Sequence, residues 1–154
     1  MFLYLVQHGE AKKEEEDPAR DLTATGMDDV KRVAEFVGKL TPAPSRVRHS
    51  GKTRARRTAE ILADAWQVRE GIAATDGLAP LDDPAIWAGR LSALSDPLAL
   101  VGHLPHLARL AALLLCGDRE KVVINFKMGG AVCLKRGEEG RWGVDWMIIP
   151  EALP

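Results

Sequence analysis

Two periods of apolar spacing alternate along this chain. Phe2 to Gln7 is a nearly continuous apolar run, which predicts a central strand covered on both faces. It ends abruptly in His8-Gly9. Lys12 to Arg20 is polar and charged and predicts a surface loop. Thr23-Ala24-Thr25-Gly26 offers cap residues. Val30, Val33, Phe36, Val37 and Leu40 then recur at three-and-four spacing, an amphipathic helix ending near Lys39-Leu40, stopped by Pro42 and Pro44. Arg46 to Ser50 predicts a short strand and Gly51 a turn. Thr53 to Trp66 predicts a helix with Ala55, Ala59, Leu62, Ala63 and Trp66 turned inward. Ile72 to Thr75 suits an edge strand and Pro84 to Leu94 a helix. Leu98 to Val101 is a second apolar run, ending in Gly102-His103. After Pro105, Leu107, Leu110, Ala111, Leu114 and Leu115 mark another amphipathic helix. Val122 to Phe126 predicts a strand. Gly130 to Leu134 and Val144 to Ile149 predict a hairpin about the turn-rich stretch Arg136 to Gly140. This alternation predicts a three-layer α/β/α domain, a mostly parallel sheet with helices on both faces. No repeat or linker divides it, so residues 1–154 are expected to form one domain.

Charge and cysteine content narrow the classes. The net charge of −1 gives no reason to expect nucleic acid or an anionic membrane as partner. Locally the picture differs, because Arg46, Arg48, Lys52, Arg54, Arg56 and Arg57 crowd one segment, suited to an anion or to a solvated helix face. Cys116 and Cys133 lie in apolar surroundings and are expected to be buried and reduced, which suits the cytoplasm. No CxxC or His-rich pattern calls for a metal. The first apolar run is too short for a signal peptide or a membrane span. A cytoplasmic protein without membrane contact is expected.

Three strand ends carry the candidate chemistry: His8-Gly9, Ser50 to Arg54, and Gly102-His103. In a parallel sheet such ends gather on one edge, where open α/β sheets bind ligands. Two imidazoles with an arginine suit phosphoryl transfer. A neutral histidine nitrogen attacks phosphorus, while guanidinium and imidazole groups hold the equatorial oxygens. The ordinary histidine pKa of about 6.5 leaves such a ring available near neutral pH.

Leu5-Val6-Gln7-His8-Gly9-Glu10-Ala11 resembles the Arg-His-Gly box of the histidine phosphatase superfamily, also called the phosphoglycerate mutase-like fold. Arg20 to Gly26 resembles that family's Leu-Thr-x-x-Gly segment. His49 to Ala59 is similar to its Ser-x-x-x-Arg-Ala-x-x-Thr helix start, and Val101 to Pro105 to its second-histidine box. The boxes run in family order over most of the chain, and the SixA-type phosphohistidine phosphatases are the nearest likeness. The resemblance implies a metal-independent phosphatase without cofactor. In it His8 becomes phosphorylated, Arg54 and His103 hold the phosphoryl oxygens, and Gln7, Arg20 and Ser50 line the phosphate site. The implied partner is a phosphorylated protein domain of a phosphorelay or phosphotransfer system, or a small phosphorylated substrate.

Two departures bear on this. Gln7 stands where the family box has arginine. A neutral hydrogen bond contributes about 1 kcal/mol against roughly 1.5–3 for a charge-assisted one. The exchange therefore weakens phosphate binding or rate on the order of tenfold, or leaves a binding module without turnover. The other departure is the general acid, for which only Asp76, Asp82 and Asp83 are at hand. Phosphohistidine needs such an acid less than an alkyl phosphate does, because its P–N bond is labile. A phosphatase of small metabolites is the alternative if Asp82 or Asp83 reaches the leaving group. His49 is read as capping or packing, His106 as structural, the four tryptophans as packing, and Glu14 to Asp17 as a solvated loop near His8 that can help choose a partner.

Overall fold

The computed structural model describes Met1 to Pro154. In chain order the elements are β1 (Phe2–Gln7), α1 (Ala24–Val37), β2 (Arg46–His49), α2 (Thr53–Trp66), β3 (Ile72–Ala74), α3 (Pro84–Ser92), β4 (Leu98–Gly102), α4 (His106–Cys116), β5 (Ala131–Arg136) and β6 (Trp142–Ile148). A single 3-10 turn, Pro150–Ala152, follows. The six strands form one sheet in the order β3-β2-β4-β1-β5-β6. The first four in sequence are mutually parallel, and the β5-β6 hairpin closes one side antiparallel. Parallel neighbours need crossovers, and the helices supply them.

Neighbouring residues of β1 serve opposite layers. Tyr4 and Val6 pack with Val33, Val37, Leu62 and Trp66 of α1 and α2. Leu3 and Leu5 pack with Trp87, Leu91, Leu107 and Leu110 of α3 and α4. The central strand β4 splits in the same way, Ala99 and Val101 against Leu98 and Leu100. A strand enclosed by two helical layers has no polar face to show, hence its unbroken apolar run. Burying each such leucine contributes about 1.5–3 kcal/mol. Buried polar ends find partners here: Trp66 Nε1 donates to the Val37 carbonyl at 3.2 Å, and the Tyr4 hydroxyl donates to the Pro42 carbonyl.

The helix starts follow their caps. Thr23 Oγ1 accepts from the Gly26 amide at 2.9 Å, and Asp83 Oδ1 accepts from the Ala85 amide at 3.0 Å. The helix α1 ends at Val37, earlier than expected: the amides of Lys39 and Leu40 turn to carbonyls three residues back, Phe36 and Val37, at 3.2 and 3.0 Å, and Gly38 packs its backbone on α2, where a Cβ would lie 2.8 Å from the Ala65 carbonyl oxygen. The helix α3 stops at Ser92 rather than Leu94, and β4 extends one residue further, to Gly102.

Two expectations are corrected. Val122 to Phe126 is not a strand. Both sides of β1 are already taken, by β4 and β5, so this segment crosses the outer face and sinks Ile124 and Phe126 into the α3–α4 layer, leaving Val122 and Val123 exposed. Cys116 is exposed while Cys133 is buried, and both are free thiols. The last turn of α4 runs off the core, so an apolar neighbourhood in sequence gives Cys116 no cover in space.

Candidate active site

Strand register brings the site together. Gln7 stands opposite Gly102 in the β1–β4 ladder, and His49 opposite Val101 in the β2–β4 ladder. The residues that follow these three strands therefore emerge at one sheet edge. The loop after β1 is tied on several sides. The His8 amide donates to the Gly102 carbonyl at 3.1 Å, and the Gly129 amide donates to the carbonyls of Gln7 and His8 at 3.0 and 3.1 Å. The Gly9 amide donates to Thr58 Oγ1 at 3.0 Å, and Thr58 Oγ1 donates to the Arg54 carbonyl at 2.8 Å. Thr58 thus straps the loop to the first turns of α2. The start of α1 closes on the same loop: a Cβ on Gly26 would lie 2.2 Å from the Glu10 carbonyl oxygen.

His8 is oriented by its own backbone neighbourhood. Its Nδ1 lies 2.7 Å from the Gly9 carbonyl oxygen. A carbonyl only accepts, so Nδ1 carries the proton and Nε2 keeps a lone pair. Burial is the main force lowering the His8 pKa below 6.5; the Gly9 bond opposes it, and the charges of Arg54 and Arg20 add to it. A neutral ring with a free Nε2 follows at neutral pH.

The His103 ring stands 5.0 Å from that of His8, centroid to centroid, tilted by 51°. It is only 2% exposed. Burial first, then the charges of His8, Arg54, Lys52 and His106, push its pKa down to about 3. Its Nε2 lies 2.6 Å from Ser50 Oγ. Nδ1 has no partner, and an unpaired buried N–H is the costlier orphan. The proton therefore sits on Nε2, donating to Ser50.

The cations come from the start of a helix and from a loop. Arg54 projects from the first turn of α2, whose amino end adds its own positive field. Burial and the charge of Arg20 lower even its guanidinium pKa. Arg20 adopts a left-handed backbone, with φ of 52°, unusual for a side chain with a Cβ. Its amide is held by the Asp17 carbonyl at 2.9 Å, and its Nε donates to the Lys12 carbonyl at 3.1 Å. Gln7 is 9% exposed, and its Oε1 is unpaired.

The orphaned polar atoms are concentrated. Buried side-chain polar atoms without a partner are Gln7 Oε1, Arg54 Nε, His103 Nδ1 and both ring nitrogens of His106. Native interiors satisfy nearly all such atoms. Here every exception lies at the edge where β1, β2 and β4 end. All six residues named from the sequence, His8, Gln7, Arg20, Ser50, Arg54 and His103, border this edge.

Other candidates are engaged elsewhere. Asp76 binds Arg90 through both carboxylate oxygens at 2.9 Å. Asp82 Oδ2 accepts from the Ala79 amide at 2.9 Å, and Asp83 caps α3 and pairs with Arg119 at 2.8 Å. None of the three is among the groups that shift His8 or His103. His49 Nδ1 accepts from the Gly51 amide at 3.1 Å and shapes the turn. The basic segment divides: Arg46 pairs with Glu70, Arg56 with Glu60, and Arg57 with Asp21 and Glu60, while the charges of Lys52 and Arg54 act on His103. Asp17 is more than solvated loop, since its carboxylate accepts from the amides of Ala19 and Asp21. No group of three or more His, Cys, Asp or Glu side chains is arranged to hold a metal.

Thr58, Gly26 and Gly129 also build the site, without being named by the sequence reading. Thr58 and Gly26 fall inside the boxes quoted above; nothing in the sequence marks Gly129.

Comparison with known proteins follows the same outline. The model of the histidine phosphatase superfamily (branch 1) matches residues 3–82. An uncharacterised protein of Picosynechococcus sp. is 34% identical over 146 residues, 89% of this chain and 86% of that protein. The phosphohistidine phosphatase SixA of Escherichia coli is 24% identical over 155 residues, 97% of this chain and 94% of that one. A solved structure of the protein histidine phosphatase SixA complexed with tungstate has a TM-score of 0.87 at 24% identity, over 99% of both chains.

Proposed function

The chain belongs to the histidine phosphatase superfamily, and from that premise we propose that it removes the phosphoryl group from phosphohistidine in a protein, through a covalent phosphohistidine on His8. The observation that carries this reading is the His8 ring itself. It is neutral, tied at Nδ1 to Gly9, and set beside His103 with no carboxylate among the groups acting on either ring. The likeness to a phosphohistidine phosphatase supports the substrate, and the tungstate in that relative's structure is a tetrahedral oxyanion shaped like a phosphoryl group.

The steps follow from the geometry. The Nε2 lone pair of His8 attacks phosphorus in line as the P–N bond of the substrate breaks. The departing imidazole takes its proton from water, and the labile P–N bond needs no carboxylic acid to assist it. The Arg54 guanidinium and the Nε2–H of His103 hold the equatorial oxygens, His103 turning its proton from Ser50 to the phosphoryl group. The arriving negative charge raises the pKa of both rings and strengthens these bonds. Water then attacks phospho-His8, inorganic phosphate leaves, and Nε2 regains its lone pair.

A second reading rests on Gln7. Its uncharged amide cannot form the bidentate grip of an arginine, so a phosphate-binding module without turnover is the alternative. The metabolite-phosphatase reading needed Asp82 or Asp83 at the leaving group, and both are committed to turns. Hydrolysis of a phosphohistidine-bearing protein domain and of p-nitrophenyl phosphate separates the readings, with wild type, His8→Ala and Gln7→Arg side by side. The expected result is phosphohistidine turnover that vanishes in His8→Ala and rises on the order of tenfold in Gln7→Arg. Turnover gained only in Gln7→Arg would establish the binding module instead; preference for the aryl ester would favour small substrates.

A further inference from the structure

Around the basic centre stand exposed apolar side chains that the fold does not use. Leu104 follows His103 directly and is 39% exposed, with Pro105 exposed beside it. Met128 precedes Gly129, the residue bonded to Gln7 and His8, and is 45% exposed. Leu81 is 82% exposed at the tip of a turn closed twice, Asp82 amide to Ala79 carbonyl at 3.1 Å and Ala79 amide to Asp82 carboxylate at 2.9 Å. That turn adjoins the same edge, since the Leu78 carbonyl oxygen lies 3.5 Å from where a Cβ on Gly102 would be. Single exposed apolar residues are ordinary. Here three exposed apolar residues stand on separate loops, each touching the strand ends that carry the charged centre.

We infer that Leu81, Leu104 and Met128 form an apolar docking rim for the folded protein that carries the phosphohistidine, an inference that rests on the reading above. Charge complementarity selects the occupant. The centre holds Arg20, Lys52 and Arg54: the charges of Arg54 and Arg20 act on His8, and those of Arg54 and Lys52 on His103. The partner must therefore bring a phosphoryl dianion in the middle of an apolar surface. A second copy of this chain docking by the same face would oppose two basic centres, a like-charge contact. The concavities of the surface lie elsewhere, along α1 and its carboxyl-terminal neighbours, between α1 and α2, and beside Trp66. A charged centre ringed by apolar side chains suits a protein face that presents its phosphoryl group among apolar residues.

The test compares one chemical bond with and without a protein around it. Wild type, Leu81→Asp, Leu104→Asp and Met128→Asp are assayed on a histidine phosphotransfer domain phosphorylated with phosphoramidate, on free phosphohistidine and on p-nitrophenyl phosphate. Each substitution is expected to raise KM for the phosphorylated domain about tenfold. Rates on the two small substrates should stay within about twofold of wild type. Equal losses on all three substrates would mean disturbed active-site loops and overturn the rim. Unchanged KM for the phosphorylated domain would overturn it as well, leaving the phosphohistidine reading intact. A wild type that turns over p-nitrophenyl phosphate but never the phosphorylated domain would sink that reading itself. Leu81 is the most exposed of the three, at 82%, so its variant keeps the test valid if Leu104→Asp fails to fold.

Discussion

At the scale of single residues, the decisive feature is which nitrogen of His8 is free. The Gly9 carbonyl holds the proton on Nδ1, and burial with Arg54 and Arg20 keeps the ring neutral. In the proposed mechanism the neutral form attacks, so activity is expected to disappear as pH falls through the His8 pKa, which lies below 6.5. The acid limb of kcat/KM, which reports the free enzyme, is accordingly expected below pH 6.5. In Arg54→Gln one of the forces lowering that pKa is gone. The limb should move to higher pH while the rate falls, and proton NMR of His8 should follow the same shift. An acid limb above the ordinary histidine value in wild type would contradict this account. The placing of His8 and His103 at this edge was legible in the sequence because each ends an apolar run, and that of Arg54 because it follows a short strand and a glycine turn. Arg20 was legible only through its box: its left-handed backbone and its hold on Lys12 are products of the folded loop.

At the scale of elements, the loop after β1 owes its position to α1 and α2. Thr58 accepts from Gly9 and donates to Arg54. Thr58→Val keeps the shape and removes the acceptor, leaving the buried Gly9 N–H unpaired at about 1–3 kcal/mol. It is expected to lower both stability and kcat, with Thr58→Ser restoring both. Urea unfolding and steady-state rates check the pair, and a Thr58→Val enzyme equal to wild type in both would refute the strap. The strands and helices of the sequence reading came through where burial has a period. Thr53 to Trp66 is helical throughout, as its inward alanines and leucine required. Val122 to Phe126 failed because two residues sinking into a helical layer look locally like a strand. Only the occupied sides of β1 decide that no pairing is possible.

At the scale of the whole molecule, all four histidines have lowered pKa values, burial being the first cause for each. In the unfolded chain they titrate near 6.5. Below that value the unfolded state binds more protons than the native one, so stability falls as pH drops, down to about pH 3 for His103. For the enclosed ring of His103 the slope approaches about 1.4 kcal/mol per pH unit. His106 is fully buried with neither ring nitrogen paired. His106→Leu is expected to stabilise the fold by about 1–3 kcal/mol and to flatten its pH dependence between pH 7 and 5. Denaturation at both values measures it; an unchanged slope would show that His106 is not neutral in the native state. The sequence could not announce this ring as unpaired, since its surroundings are assembled from the Asp82–Asp83 turn and the start of α4.

The central claim is a phosphoryl group carried on His8. A phosphotransfer domain bearing radiolabelled phosphohistidine, mixed with the protein and quenched in alkali within the first turnover, tests it directly. The account predicts label on this chain, mapped to His8, appearing and decaying at rates consistent with phosphate release, and absent from His8→Ala together with turnover. Hydrolysis without labelled protein, label on His103 instead, or full turnover by His8→Ala would contradict it.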